Sequence, residues 1–419
     1  MLKKHTIDEQ GRSKCEPNQG IIVPLDLPEF EIVSQCLRAD GQIEVQVRAR
    51  KEQDICPTCG EVSGKIHDTR LRVKRDITLR AYQISLIIHK RRFCCATCRR
   101  PFTETESSCG KYKRTTERFR HQIAFQARHR PITHVVQEFQ VGPRFVHTCL
   151  QTLIEENLEE KGRTLDDQVK LPTPSLLGID EFALRKGHRY DTILCDLDAR
   201  DVLEVVSGRK KEDVVKLLER LSDPDAVKAV SMDMSASFRP AVQSALPNAQ
   251  IVVDHFHVIQ HVMKAFRKEV SSWAHKREGM VLLYGKQHLF LRAKEALTEK
   301  ETQDREKIGA RLPALEKAWQ LKEALRTWYA TATVVDAARR LDTWIKQVQE
   351  EGPDVLREAL SPFKNWRQEI LAFFSFLPTL VSNGFVEGKN NRTKAMMRQA
   401  YGYRNRYNLR MRILLGAGA

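Results

Sequence analysis

Apolar and polar positions alternate through much of the first hundred residues. "EIVSQCLRADGQIEVQVRAR" holds two such runs with β-branched residues, separated by Asp40-Gly41, a strong two-residue hairpin signal. "YQISLIIHKRRF" predicts a further strand. From Thr115 the period lengthens to that of a helix. "TTERFRHQIAFQARHR" predicts one short helix, and Pro131 opens a second, "PITHVVQEF". Gly142 follows in a tight turn, and "PRFVHTCLQTLIEENLEE" makes the third. A short helix, a glycine-bearing turn and a longer helix form the helix-turn-helix pattern, which a small helical bundle also shows.

At Leu176 the period shortens again. "LLGIDEFAL" predicts an apolar strand carrying Asp180, and "YDTILCDLD" and "DVLEVVSGR" two more strands joined at Ala199–Asp201. "KKEDVVKLLERL" is an amphipathic helix, "AVKAVSMDMS" a buried strand delivering Asp233, "ASFRPAVQSALP" a helix, and "AQIVVDHFHV" a strand delivering Asp254. The order β-β-β-α-β-α-β predicts a mixed sheet flanked by helices. From Ile259 to about Leu380 the chain reads helical, with Trp273, Trp319, Trp328, Trp344 and Trp366 as core residues. A last helix starts at an N-cap Ser382 and runs to Gln399, with Gly402 at its stop.

These segments predict a multidomain α+β chain. Its parts are a loose arm 1–28, an extended cysteine-bearing domain 29–110, helices 111–160 and a proline-bearing linker 161–175. A sheet domain 176–258, a helical insertion 259–380 and a final helix with a basic tail 381–419 complete it.

Cysteine spacing adds a metal. Cys56-Pro57-Thr58-Cys59 and Cys95-Ala96-Thr97-Cys98 are two knuckles whose turns bring pairs of thiolates to one tetrahedral ion. The layout predicts a zinc ribbon with a long insert, liganded by Cys56, Cys59, Cys95 and Cys98. Cys94 is a rival to Cys95 that breaks the two-residue spacing. Cys15, Cys36, Cys109, Cys149 and Cys195 read as packing thiols rather than disulfides.

Charge adds a partner. The net charge is +16, and residues 60–130 hold 18 Lys/Arg against 6 Asp/Glu. Residues 388–419 hold eight Lys/Arg and no acid. Two separated basic blocks predict contact with a polyanion, nucleic acid first among them. No apolar run spans a bilayer and the start lacks a signal-peptide core, so a cytosolic protein with no membrane partner is expected.

Three acids then occupy telling places. Asp180 and Asp233 lie on apolar strands, where a lone carboxylate is costly without a cation. Glu387 opens the late helix, at the head of the basic tail. Converging carboxylates repel one another, and divalent Mg²⁺, an ion that prefers oxygen, removes that cost. Glu181, the neighbour of Asp180, faces the other side of the strand. Asp254 is a competitor of Asp233 or an auxiliary ligand. His255 and His257 are poor Mg²⁺ ligands and are placed near the site as hydrogen-bonding groups.

Together, "CPTCG", "RRFCCATC", "GIDEFALRKGHRY", "VSMDMSASFRPAV", "VVDHFHVIQHV" and "SNGFVEGKNNRTKAMMRQAYGYRN" resemble, in order from about residue 30 to the end, the bacterial ISL-three family of insertion-sequence transposases. The resemblance implies a ribonuclease H-like catalytic domain with a large helical insertion. It also implies a catalytic triad of Asp180, Asp233 and Glu387 holding Mg²⁺ or Mn²⁺, with Asp254 and His257 auxiliary. The expected activity is DNA transposition: recognition of terminal inverted repeats in double-stranded DNA, metal-dependent hydrolysis and strand transfer, by a homodimer or larger assembly associated with the nucleoid. Candidate DNA contacts are Arg114, Arg144, Lys389, Arg392, Lys394, Arg398, Arg404 and Arg406, with Arg185, Lys186, Arg189 and Arg239 as further phosphate candidates. Helical spacing sets Asn391, Lys394 and Arg398 on the Glu387 side of their helix. Two alternatives remain: a non-catalytic zinc and helix-turn-helix regulator, and a nuclease on the same fold that never joins strands.

Overall fold

The computed structural model describes residues 23–416, apart from positions 39, 81, 111, 112, 186, 380, 401 and 404. The chain divides into two compact units after Glu156.

The first unit is built on β1 (Phe30–Leu37), β2 (Gln42–Ala49), β5 (Ile66–Arg75), β6 (Gln83–Cys94) and β7 (Pro101–Thr103), with a small ladder of β3 (Asp54–Ile55) and β4 (Val62–Ser63). The main sheet runs β1-β2-β6-β5, and β7 also pairs with β6. Gly41 turns the β1–β2 hairpin at φ +81°. Strict alternation buries Ile43, Val45, Val47 and Ala49 on one face of β2. The end of the expected arm is not loose, because Val23, Leu25 and Leu27 alternate into that same core. Cys36 is disulfide-bonded, which corrects its reading as a packing thiol. No spacing in the sequence signals that bond.

Helices Glu117–His129, Ile132–Phe139 and Pro143–Glu160 follow. Thr116 caps the first by accepting from the Phe119 amide at 3.2 Å. The left-handed break after the second is Gln140, at φ +49°, rather than the expected Gly142. Part of the basic block is paired internally. Glu106 takes Lys90 at 2.8 Å and Lys74 at 3.3 Å, Glu104 takes Arg91, Asp68 takes Arg92, and buried Asp76 takes Arg118.

The second unit carries a five-stranded sheet, β10-β9-β8-β11-β12. Its strands are β8 (Leu176–Arg185), β9 (Arg189–Asp196), β10 (Asp201–Ser207), β11 (Ala229–Met232) and β12 (Gln250–Val253). β8, β9 and β10 form an antiparallel meander, while β11 and β12 run parallel to β8. The period of two splits the sheet into faces. Leu177, Ile179, Leu194, Val230, Met232 and Ile251 point to one, under helices Lys211–Leu218 and Phe238–Ala245. Ile193, Cys195 and Val202 point to the other, under helices Gly384–Gln399 and Arg406–Leu414.

The helical stretch from His255 to Ser375 is no separate body. Val252 and Val253 of β12 share one core with Val258, Phe266, Trp328 and Phe373. Trp319, Trp328 and Trp344 are buried in it, and Trp273 and Trp366 pack partly against it. Among the described residues no helix is long and apolar enough to cross a membrane.

Candidate catalytic and metal sites

Parallel register builds the first site. Val230 lies beside Leu177 and Ser231 beside Gly178, so two further steps along the same ladder bring Asp233 alongside Asp180. Met232 lies beside Val253, and the next step pairs Asp233 with Asp254, whose amide donates to the Met232 carbonyl at 3.0 Å. Adjacent strands are about 4.8 Å apart. The three aspartates therefore form a row where β11 and β12 end, at the carboxyl edge at which α/β sheets bind ligands. Asp180, Glu181, Arg209, Lys210, Asp233 and Ser235 line an open cavity there of about 500 Å³.

The same alternation puts Gly178 and Asp180 on the face covered by helix Gly384–Gln399. Contact is close: a Cβ at Gly178 would meet Val386 Cγ2 at 2.5 Å. The helix starts one residue later than expected, with Asn383 rather than Ser382 before it. Asn383 makes no side-chain cap but sends its amide to the Ile179 carbonyl at 3.0 Å. Gly402, at φ +96°, ends the helix as expected, donating back to Met397. Asn390 donates to Asp180 Oδ2 at 2.6 Å. Glu387, half-buried, lies to one side of those two asparagines, within about 60° of each around the helix. Its carboxylate makes no ion pair among the described residues.

Burial, and then the charge of Asp233, push the Asp180 carboxyl up to about 7. Asp254 caps helix His255–His275 by accepting from the Phe256 amide at 3.3 Å. Burial works to raise Asp254, but His255, His257 and that amide together hold it well below the usual carboxylate range. His257 Nδ1 lies 2.8 Å from Asp233 Oδ1 and 3.5 Å from Asp254 Oδ2, as ion-pair approaches without hydrogen-bond alignment. Asp233 first, and Asp254 behind it, lift this imidazolium to about 10.

Ligand atoms of Asp233, Asp254 and His257 all lie within 4.8 Å of one another. Asp180 joins them through the field of Asp233, while Glu387 is not part of that tight group. Asp233 Oδ1, Asp254 Oδ2 and Asn390 Oδ1 are buried with no hydrogen-bond donor among the described residues. Oxygen acceptors left bare beside a carboxyl that resists ionising are what a hard divalent cation satisfies. The residues fit Mg²⁺ or Mn²⁺.

The second site is the cysteine cluster. Cys56 Sγ lies 3.6 Å from Cys98 Sγ, and Cys59 Sγ 3.4 Å from Cys95 Sγ. Four sulfurs at Zn–S distances of about 2.3 Å in a tetrahedron would stand roughly 3.8 Å apart, so the four thiols fit Zn²⁺. Each knuckle closes by a backbone bond four residues long, Gly60 to Cys56 and Arg99 to Cys95, with the closing residue left-handed at φ +76° and +56°. Cys94 lies outside the cluster.

A DDE transposase profile of the ISL3 type, described as "Transposase", matches residues 177–413. The chain belongs to the ISL3 family of transposases. A second profile, the zinc finger of the IS204/IS1001/IS1096/IS1165 transposases, matches residues 52–98 and brackets all four cysteines. The transposase for insertion sequence element IS1001 of Bordetella parapertussis is 27% identical over 358 residues, covering 84% of this chain and 86% of that protein. The transposase for IS1557 of Mycobacterium tuberculosis is 25% identical over 256 residues, covering 55% of this chain and 57% of that one.

In this ISL3 member the expected DNA contacts are scattered. Arg114 and Arg144 are exposed in the first unit. Arg392, Lys394 and Arg398 are exposed on helix Gly384–Gln399, as is Asn391, while Asn390 is the residue bonded to Asp180. Lys389 is half-buried, with Nζ 5.1 Å from the centre of the Phe385 ring. Arg406 is tied to Asp191 at 2.6 Å, and Arg239 to Glu369 at 2.5 Å. Arg185 and Arg189 are exposed, and Arg404 and Lys186 lie outside the described residues. Sequence reasoning missed Asn383, Asn390 and Gly178.

Proposed function

We propose that this chain is the transposase of an insertion sequence and acts on double-stranded DNA through a ribonuclease H-like domain. The observation that carries the reading is the alignment of Asp180 and Asp233 on neighbouring parallel strands, with Asn390 of the Glu387 helix bonded to Asp180. Asp180, Asp233 and Glu387 would hold Mg²⁺ or Mn²⁺. Bound there, such ions supply an activated water and neutralise charge on the leaving oxygen of a phosphodiester.

The remaining steps fall to the protein. Asn390 fixes the rotamer of Asp180, whose other oxygen accepts the Glu181 amide at 2.7 Å and keeps a second lone pair for a cation. Asp254, anchored on its own helix, holds His257 against Asp233. Exposed Arg392, Lys394 and Arg398 lower the cost of bringing a phosphate to a carboxylate-rich cavity. The zinc ribbon and the three helices after it, read as a helix-turn-helix, would grip the terminal inverted repeats, with Arg114 and Arg144 on phosphates. The freed 3′-hydroxyl then attacks target DNA at the same site, and cutting both ends together calls for a dimer or larger assembly.

The test incubates the protein with labelled element ends and a target plasmid in Mg²⁺ or Mn²⁺. Joined products that vanish in Asp180→Ala, Asp233→Ala and Glu387→Ala are expected. Cleavage that never yields joined products would leave a nuclease, and binding without cleavage a regulator.

A further inference from the structure

We propose that the outer face of helix His255–His275 is a DNA track leading away from the aspartate row. In it Phe256 stacks on a base beside the scissile phosphate, and Lys264, Arg267 and Lys268 hold the phosphates beyond. This rests on the transposase reading of the site.

The helix begins at Asp254, so its first turn is already at the candidate metal site. Val258, Val262, Phe266 and Val270 recur every four residues and bury one face. The opposite face carries Phe256, Lys264, Arg267, Lys268, Ser271 and His275, all exposed. Lys264, Arg267 and Lys268 make no ion pair among the described residues. That separates them from Arg163, Arg220, Arg239 and Arg305, each tied to a carboxylate in the same unit. Glu269, the one acid between Asp254 and Glu278, instead accepts from Trp273 at 2.8 Å. The face is thus cationic with no internal counter-charge, which suits a polyanion.

Phe256 supplies the aromatic element. It is 46% exposed, two residues from Asp254, with its ring set edge-on to that of His257 at 5.8 Å. A large ring left bare at the mouth of a polar site offers every base the same π-face. At about 1.5 Å per residue, Phe256 and Lys264 are about 12 Å apart along the axis, or three to four base-pair steps at about 3.4 Å each. Lys268 is a further turn on. The partner is DNA flanking the scissile phosphate, whether from the element end or from the target.

The test uses the full chain and two duplexes, one an element end and one a target, each with 2-aminopurine next to the scissile phosphate. Binding is measured from 50 to 300 mM salt, with melting curves as a folding control on these exposed substitutions. Lys264→Ala/Arg267→Ala/Lys268→Ala is expected to flatten the slope of log K against log salt by about 2 to 3, while the triple Gln variant does the same and Lys264→Arg/Lys268→Arg keeps the slope. Phe256→Ala is expected to abolish the 2-aminopurine signal and weaken binding roughly fivefold or more, and Phe256→Trp to retain both. Whichever duplex responds identifies the source of the strand. A wild-type slope in the Ala triple, together with an unchanged 2-aminopurine signal in Phe256→Ala on both duplexes, overturns the track. If the wild type binds both duplexes but neither cuts nor joins them, the transposase reading fails by itself, because the salt slopes still report the surface.

Discussion

Asn390 donates its side-chain amide to Asp180 at 2.6 Å across 210 positions of sequence, and this bond locks the late helix to the first strand of the sheet. The other carboxylate oxygen, Oδ1, accepts the Glu181 amide at 2.7 Å. Removing the Asn390 bond by Asn390→Ala leaves Asp180 buried beside Asp233 with one fewer donor. Groups that orient a ligand in this way are worth about 10- to 100-fold in metal affinity or activity. A loss of that size in strand cleavage is expected, with Mn²⁺ affinity falling in parallel by calorimetry. Cleavage at the wild-type rate would remove Asn390 from the site.

Gly178 sets how close that helix can come. An added Cβ would meet Val386 Cγ2 at 2.5 Å and Leu197 Cδ2 at 2.8 Å, both part of a packed core. Overpacking of this kind costs about 1–3 kcal/mol. Gly178→Ala is therefore expected to lower the melting temperature and to cut strand cleavage more deeply than stability, because it moves Glu387 and Asn390 off β8. Adding Val386→Ala should recover much of both. No recovery would place the damage elsewhere.

Which parts were legible follows from how far apart in the chain their causes lie. The hairpin at Asp40-Gly41, the two knuckles and the strands that deliver Asp180, Asp233 and Asp254 are encoded within a dozen residues each, by alternation, turn residues or cysteine spacing. Asn390 was not legible, because its partner is on a strand far away and helical spacing from Glu387 pointed as readily to Asn391. Gly178 carries no signal of its own in the sequence, because the side chain it admits, Val386, lies far along the chain. The basic block of residues 60–130 suggested contact with a polyanion, yet Lys74, Lys90, Arg91 and Arg118 of it are paired internally with Glu106, Glu104 and Asp76. Charge counts carry no information on such pairing.

The two knuckles differ at their closing residue, and the effect of that difference is separable. Gly60 and Arg99 occupy the same left-handed closing position. That conformation costs a residue with a Cβ roughly 1–2 kcal/mol, partly offset by the looser unfolded chain of glycine. A Cβ at Gly60 would touch nothing within 4 Å, so Gly60→Ala tests conformation alone. It is expected to destabilise the zinc-bound ribbon by about 1 kcal/mol, and Arg99→Gly to stabilise it by about 0.5 kcal/mol. Zinc competition against a chromogenic chelator checks both, and chelating zinc should weaken end binding before it affects nicking.

The raised Asp180 couples metal to pH. Its carboxyl is held up at about 7 from an ordinary 3.8, so the metal-free native state keeps a proton that the unfolded chain loses between those values. Stability of the metal-free protein should therefore fall as pH rises from about 4 to 7 and change no further through this group above 7. His257, raised to about 10, stabilises fully below about 6.5 and loses that contribution progressively as pH rises from there to about 10, so its window follows that of Asp180. A divalent ion must displace the Asp180 proton, which makes binding weaken by about tenfold per pH unit below 7 and level off above it. Calorimetric Mn²⁺ titrations at pH 6, 7 and 8 read this directly. Asp180→Asn should weaken binding and flatten the dependence while raising the metal-free melting temperature at pH 8. A wild-type Mn²⁺ affinity already independent of pH between 6 and 7 would show that another group carries the proton.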